Sequence, residues 1–293
     1  MRKGPRRHLA CGAPFVTAWL ASLPSDVTQV ALDPEAAWQD PAAVVSELDP
    51  GDPEATLDGL TSAPRDAGWL QAWTEADAAA RSALTDELGD ALSEPLTARL
   101  LAEHLPAEAT LLIASSMPIR DAELYFPAGT PGPRVLSNRG ANGIDGTVST
   151  AFGVAASTHG PVVLLIGDVA LAHDIGGLIA ARQLGLDLTI VVINNDGGGI
   201  FHFLPVSGET DAFEEHVATP HGLDFAKAAA LYGVPYARAT TAAELTEALR
   251  RPGIVEVRTD RAQNLALHRA LADAGLEAVR ALSPTAPAAS PAA

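Results

Sequence analysis

The chain has 293 residues, room for one or two ordinary domains. A hydrophobic content of 47% with 19% charged residues excludes a disordered polymer, and a formal net charge of −17 argues against a binder of nucleic-acid backbones. The single cysteine, Cys11, excludes an internal disulfide framework and a cysteine-based zinc site, and the lack of a run of about 18 apolar residues argues against a membrane-spanning helix.

Residues 1–8 (MRKGPRRH) are basic and residues 9–23 mildly apolar, which imitates a secretory leader. Gly12, Pro14, Thr17 and Ser22 interrupt the apolar stretch, so the segment reads as the start of a truncated cytoplasmic domain. Residues 28–33 (TQVALD) and 43–48 (AVVSEL) read as short strands, with turn chemistry at 49–53 (DPGDP). Two strands cannot enclose a core of their own. Residues 1–62 are therefore expected to be the remnant of a second α/β domain, and residues 63–92 a linker and helix. Within that helix, over 69–88, Trp69, Leu70 and Trp73 are spaced for packing.

From residue 93 the pattern changes. Ser93 is placed to cap a helix over 93–105. Apolar strands are predicted at 110–114 (TLLIA), 134–137 (RVLS), 161–166 (PVVLLI), 188–193 (LTIVVI) and 253–258 (GIVEVR). Helical stretches fall at 147–157, 173–184, 224–232, 241–250 and 261–282, and residues 283–293 are a Pro/Ala tail expected to be disordered. Strands that are apolar on both faces and alternate with helices imply an α/β fold, a doubly wound and mostly parallel sheet over 93–282. Each apolar side chain of 162–166 buried in such a sheet contributes roughly 1.5–3 kcal/mol gross.

In an open parallel sheet, ligands sit beyond the carboxyl ends of the strands. The run 161–166 ends in Gly167 and Asp168; the run 188–193 ends in Asn194, Asn195 and Asp196, followed by Gly197, Gly198 and Gly199. The helix between the two runs allows a crossover that makes them parallel. As neighbours they lie about 4.8 Å apart, and Asp168 and Asn195, 27 positions apart in sequence, then share one rim. A carboxylate, an amide oxygen and a backbone carbonyl from the glycine turn are hard ligands, suited to Mg²⁺ or Ca²⁺ rather than zinc. Magnesium takes few protein ligands and completes its shell with water and phosphate oxygens. Glycines permit close backbone approach, and amides at Gly167 and at a helix start near His173 can face an anion. The constellation reads as a metal-bridged diphosphate site, although each piece alone is equally an ordinary turn. His173 and His221 are expected in structural or surface roles, with no acid–base duty.

The Gly167-Asp168 pair followed by Asn194-Asn195 resembles the thiamine-diphosphate motif. Five further stretches narrow the resemblance: 116–121 (SMPIRD), 137–146 (SNRGANGIDG), 194–201 (NNDGGGIF), 219–225 (TPHGLDF) and 257–261 (VRTDR). Together they resemble the 2-succinyl-5-enolpyruvyl-6-hydroxy-3-cyclohexene-1-carboxylate synthases of menaquinone biosynthesis, strongly over about 94–270 and weakly over 1–60 as the end of that family's middle domain. The resemblance implies that Asp168, Asn195 and the Gly197 carbonyl hold Mg²⁺ or Mn²⁺ on the diphosphate, with Gly167 and Val169 beside it. It places Ile144, Ile200 and Phe201 near the thiamine rings, and Ser116, Arg120, Arg139 and Leu204 around the substrate. The family decarboxylates 2-oxoglutarate and adds the resulting carbanion to isochorismate. Both substrates carry carboxylates, which guanidinium forks at Arg120 and Arg139 suit.

The resemblance also implies partners. The family holds the aminopyrimidine of the cofactor in a separate, earlier domain that supplies an activating glutamate, and nothing in this chain matches it. Glu94, Glu103 and Glu108 precede the sheet without a suitable context, and none is assigned that role. The middle domain's basic pair is likewise unmatched, since residues 12–20 contain no Lys or Arg. The expectation is a cytoplasmic, homo-oligomeric enzyme component, inactive without a pyrimidine-binding domain on another polypeptide or in a missing N-terminal part. Another thiamine-diphosphate enzyme, of acetolactate-synthase or decarboxylase type, and a non-catalytic degenerate subunit are the alternatives.

Overall fold

The computed structural model describes residues 7–8, 14–37, 40, 42–59, 67–127, 132–138, 142–185, 187–209 and 211–282. Residues 63–66 of the expected linker, the tail at 283–293, Cys11 and Arg139 lie outside the described residues. The chain divides into two compact units, residues 1–71 and 72–293. In the first, β1 (Arg7–His8), β2 (Thr28–Leu32) and β3 (Glu47–Asp49) form a parallel sheet in that order, accompanied by α1 (Pro14–Ala21) and α2 (Pro53–Gly59). The strand expected over 43–48 is thus reduced to its end. The Asp40 carboxylate accepts from the backbone N–H of Val44 at 3.1 Å and of Val45 at 3.0 Å, which gives those amides a local partner in place of a ladder.

The division falls within α3 (Ala67–Leu88). Trp69 and Trp73, expected to pack, are 59% and 51% exposed, and Leu70 is exposed with them. The apolar face of α3 reaches the core later, through Leu84 and Leu88.

The second unit runs α4 (Glu94–His104), β4 (Thr110–Ile113), α5 (Met117–Tyr125), β5 (Arg134–Ser137), α6 (Thr147–Ser157), β6 (Val162–Gly167), α7 (Asp168–His173), α8 (Ile179–Leu184), β7 (Leu188–Asn194), α9 (Phe225–Tyr232), β8 (Tyr236–Ala239), α10 (Ala242–Ala248), β9 (Gly253–Arg258) and α11 (Arg261–Leu282). Its six strands are all parallel, in the order β5-β4-β6-β7-β9-β8. Alternate residues of each strand feed two separate cores. Leu111, Ile113, Val163, Leu165, Val191 and Ile193 pack on one face with α4, α10 and α11. Leu112, Val162, Leu164, Ile166, Ile190 and Val192 pack on the other with α6, α7 and α9. The doubly wound α/β sheet is therefore as the apolar runs imply.

The second unit differs from the sequence reading in three local places. The helix expected over 173–184 begins instead at Asp168, stops at Asp174, passes through a 3-10 turn (Ile175–Leu178) and resumes as α8. Adjacent Gly176 and Gly177 explain the break, being poor helix formers. Helix α5 was not expected, because its short sequence, with Pro118 in the first turn, carries little periodicity. Strand β8 (YARA) was not expected either, because it is a half-exposed edge strand without an apolar run.

Candidate functional site

The sheet order itself defines where a ligand would sit. From β4 the chain moves to β5 on one side and then to β6 on the other, a reversal of strand order between β4 and β6. Beyond the carboxyl end of β4 lie Ser115 and Ser116; beyond β6 lies Asp168. Pairing of β6 with β7 sets Gly167 opposite Ile193, so Asn194 and Asn195 emerge on the same rim as Asp168.

Asp168 is 2% exposed. Its Oδ1 accepts from the Val169 N–H at 2.7 Å, and its Oδ2 accepts from the Gly197 N–H at 3.0 Å. The second bond ties the two strand tips together across 29 positions of sequence. Burial pushes the Asp168 carboxyl above the usual range, against the pull of the Gly197 and Val169 amides and of His221. A cation beside it would offset that penalty.

The glycine turn is built by conformations that only glycine adopts easily. Gly197 has φ +140°, and a Cβ there would stand 2.3 Å from the Ala218 carbonyl oxygen. Its own carbonyl accepts from the Gly199 N–H at 3.0 Å and keeps a second lone pair. Asp196, at φ +59°, accepts at Oδ1 from the Gly222 N–H at 2.7 Å and the His221 N–H at 3.1 Å, which draws residues 221–222 onto the turn. The Gly222 bond, more than any other group, holds the Asp196 carboxyl below the usual range.

Asn195 donates from Nδ2 to Glu94 Oε1 at 2.9 Å, and its Oδ1 is buried with no hydrogen-bond partner among the described residues. An orphaned buried amide oxygen on the same rim as a buried carboxylate and a glycine carbonyl fits a hard divalent cation. Among the described residues, no group of three or more His, Cys, Asp or Glu could hold a metal by itself. A cation at this rim therefore needs further oxygen ligands of the kind that a diphosphate and water supply.

The other residues singled out from the sequence fall around this rim unevenly. Ile144 is half-buried on the core beside α6, and a Cβ at neighbouring Gly143 would lie 3.0 Å from Ser115 Oγ, which brings this loop to the tip of β4. Ile200 is half-buried, while Phe201 and Leu204 are exposed apolar side chains in and just after a 3-10 turn (Gly199–Phe203). Ser116 holds φ +79°, an unusual value for a residue with a side chain, at the start of α5. Arg120 is exposed, and its Nη1 donates to the Ser116 carbonyl oxygen at 2.7 Å. His173 is exposed, 3.6 Å from Asp145.

The fold brings to this rim two residues, His221 and Glu94, that had no role there in the sequence reading. His221 stands with Nε2 3.2 Å from Asp168 Oδ2, in ion-pair range although off hydrogen-bond alignment. Glu94, 2% exposed at the start of α4, accepts at Oε1 from both Asn195 Nδ2 and Thr259 Oγ1, the latter at 2.8 Å. Burial and the nearby Asp121 carboxylate push Glu94 up to about 7. Its partners are 101 and 165 positions away, so no local pattern announced it.

Comparison with known proteins shows what the chain is similar to. Residues 121–254 match the family described as "Thiamine pyrophosphate enzyme, C-terminal TPP binding domain". The chain is similar to curated proteins named 2-succinyl-5-enolpyruvyl-6-hydroxy-3-cyclohexene-1-carboxylate synthase. It is 40% identical over 272 residues to the Bacillus velezensis protein (89% of this chain, 47% of that one). It is 43% identical over 270 residues to the Chloroflexus aurantiacus protein (85% and 46%). It is 47% identical over 226 residues to the Rubrobacter xylanophilus protein (74% and 39%). The chain thus spans about half the length of the curated relatives it matches. In sequence, it is similar to about half the length of proteins named 2-succinyl-5-enolpyruvyl-6-hydroxy-3-cyclohexene-1-carboxylate synthase, and its residues 121–254 match the C-terminal TPP binding domain of the thiamine pyrophosphate enzymes.

Proposed function

We propose that residues 93–282 are the diphosphate- and metal-binding domain of a synthase that decarboxylates 2-oxoglutarate and adds the remaining succinyl unit to isochorismate. The observation that carries this reading is the orphaned Asn195 Oδ1, buried on the same rim as the carboxylate of Asp168. The name that the similar proteins carry supports the activity. Residues 1–62 are the end of a middle domain in this reading.

Asp168, Asn195 Oδ1 and the Gly197 carbonyl would hold Mg²⁺ or Mn²⁺, both of which accept such oxygens. Thiamine diphosphate, when bound, supplies the nucleophilic carbon that the reaction needs, and the chain orients it. Gly197 and Gly199 keep the rim open, since a Cβ at either would strike the backbone of Ala218 or the Asn195 amide. Ile144, Ile200 and Phe201 offer apolar surface to the rings. The resemblance would assign Ser116, Arg120, Arg139 and Leu204 to the substrates, with the guanidinium of Arg120 pairing a carboxylate.

A polypeptide of these 293 residues presents one side of a cofactor cleft. It is expected to show little turnover alone, to gain it when mixed with a polypeptide carrying a pyrimidine-binding domain, and to associate with further copies of itself. The test is a carboligation assay with 2-oxoglutarate and isochorismate, run with and without that polypeptide. Turnover with pyruvate but not 2-oxoglutarate would move the chain to the acetolactate-synthase type. Failure to bind thiamine diphosphate with Mg²⁺ at all would make it a degenerate subunit.

A further inference from the structure

Glu94 is a buried carboxylate outside the sheet that no part of the proposed reaction uses. It nevertheless reaches the metal rim through one side chain. Its Oε1 accepts from Asn195 Nδ2 at 2.9 Å and from Thr259 Oγ1 at 2.8 Å, so two donors from two different strand ends converge on a single oxygen. The two ends of an asparagine amide have the same shape and differ only in being donor or acceptor. With the amino end engaged by an acceptor, Oδ1 is turned to the other side, where it stays buried and without a partner among the described residues. Rotation of the amide by half a turn would set oxygen against oxygen at Glu94. The amide has little room to move otherwise, because a Cβ on Gly199 would already lie 2.6 Å from Nδ2.

We propose that Glu94 is a positioning residue for the divalent cation: by accepting from Asn195 Nδ2, it decides that the oxygen of that amide, and not the nitrogen, faces the cation. This rests on the metal-diphosphate reading given above. Partners that orient a metal ligand commonly matter about 10–100-fold in metal affinity. Thr259 shares the same oxygen, and it keeps the carboxylate from following Asn195 if the amide turns.

The test is Mn²⁺ binding by the full chain, read from the electron paramagnetic resonance signal of free Mn²⁺, with and without thiamine diphosphate. Only the diphosphate-dependent uptake counts, since an acidic surface binds cations unspecifically. Glu94→Leu removes the acceptor and is expected to weaken that uptake about 10-fold or more. Glu94→Gln keeps an oxygen for both donors and is expected to stay within about threefold of the wild type, since the acceptor contact to Asn195 survives. Equal uptake by wild type and Glu94→Leu overturns the role of Glu94 alone. Loss of uptake in a folded Glu94→Gln variant also overturns it, and this measurement stands even if the leucine variant does not fold. If the wild-type chain shows no diphosphate-dependent uptake, the metal-diphosphate reading fails, and this proposal fails with it.

Discussion

His221 sets its Nε2 3.2 Å from the buried Oδ2 of Asp168, the same oxygen that the Gly197 N–H reaches at 3.0 Å. The Leu223 N–H donates to His221 Nδ1 at 3.0 Å, so that nitrogen is the acceptor and the ring proton sits on Nε2, toward the carboxylate. The imidazole thereby stands against one oxygen of Asp168 at ion-pair range, off hydrogen-bond alignment. His221→Ala is expected to lower diphosphate-dependent Mn²⁺ affinity by about 10-fold through a loosened carboxylate. Titration calorimetry showing wild-type affinity in the variant would refute this.

Asp168→Asn removes the negative charge from the rim and should abolish metal-dependent binding of thiamine diphosphate. It also presents an amide N–H₂ where Asp168 now accepts from two backbone amides, so one buried N–H loses its acceptor. The expected cost is about 1–3 kcal/mol of stability. Urea unfolding would measure the second effect and calorimetry the first.

Gly197→Ala should be among the most damaging single substitutions in the second unit. At φ +140° the backbone strain alone is worth roughly 1–3 kcal/mol, and the 2.3 Å approach to the Ala218 oxygen adds to it. A melting temperature unchanged from wild type would show that the turn is not built as described.

Ser116 carries strain of the opposite kind, since its φ of +79° is one that glycine tolerates. Ser116→Gly is expected to raise stability by about 1 kcal/mol. If its hydroxyl meets substrate, carboligation in the reconstituted system falls at the same time. A variant less stable than wild type would contradict the strain argument.

Two buried carboxylates predict pH responses of opposite sign in the metal-free protein. Glu94 rises from 4.5 to about 7 on folding, driven first by burial, so the folded state binds the extra proton between those values. Stability then falls as pH rises from 4.5 to 7, by up to about 1.4 kcal/mol per pH unit. Glu256 behaves inversely: burial raises it, but hydrogen bonds from Tyr236, Asn194, Arg238 and Arg258 outweigh burial and hold it below the usual range. Its contribution is present above 4.5 and lost as pH falls further. Chemical unfolding across pH should show Glu94→Gln without the first slope and Glu256→Gln without the second. A Glu94→Gln profile that parallels the wild type would contradict the raised value.

Most of the sheet was legible because continuous apolar runs such as 162–166 and 188–193 have one stable use, burial on both faces between helices. Ser93 was legible as a cap because its hydroxyl serves an amide three residues on. What escaped lacked such a pattern: β8 is an edge strand half in solvent, and the 43–48 strand lost Val44 and Val45 to a nearby aspartate.

By itself, then, the sequence determined the parallel sheet, the two polar strand tips and the kinship that Gly167-Asp168 and Asn194-Asn195 declare, since periodicity and short motifs are local properties. The tertiary structure alone decided that Glu94 grips Asn195 from 101 positions away, that Asn195 Oδ1 is left bare, and that His221 leans on Asp168. Those relations depend on where distant strand ends and loops come to rest, and a hydrogen bond between them leaves no trace in the spacing of residues along the chain.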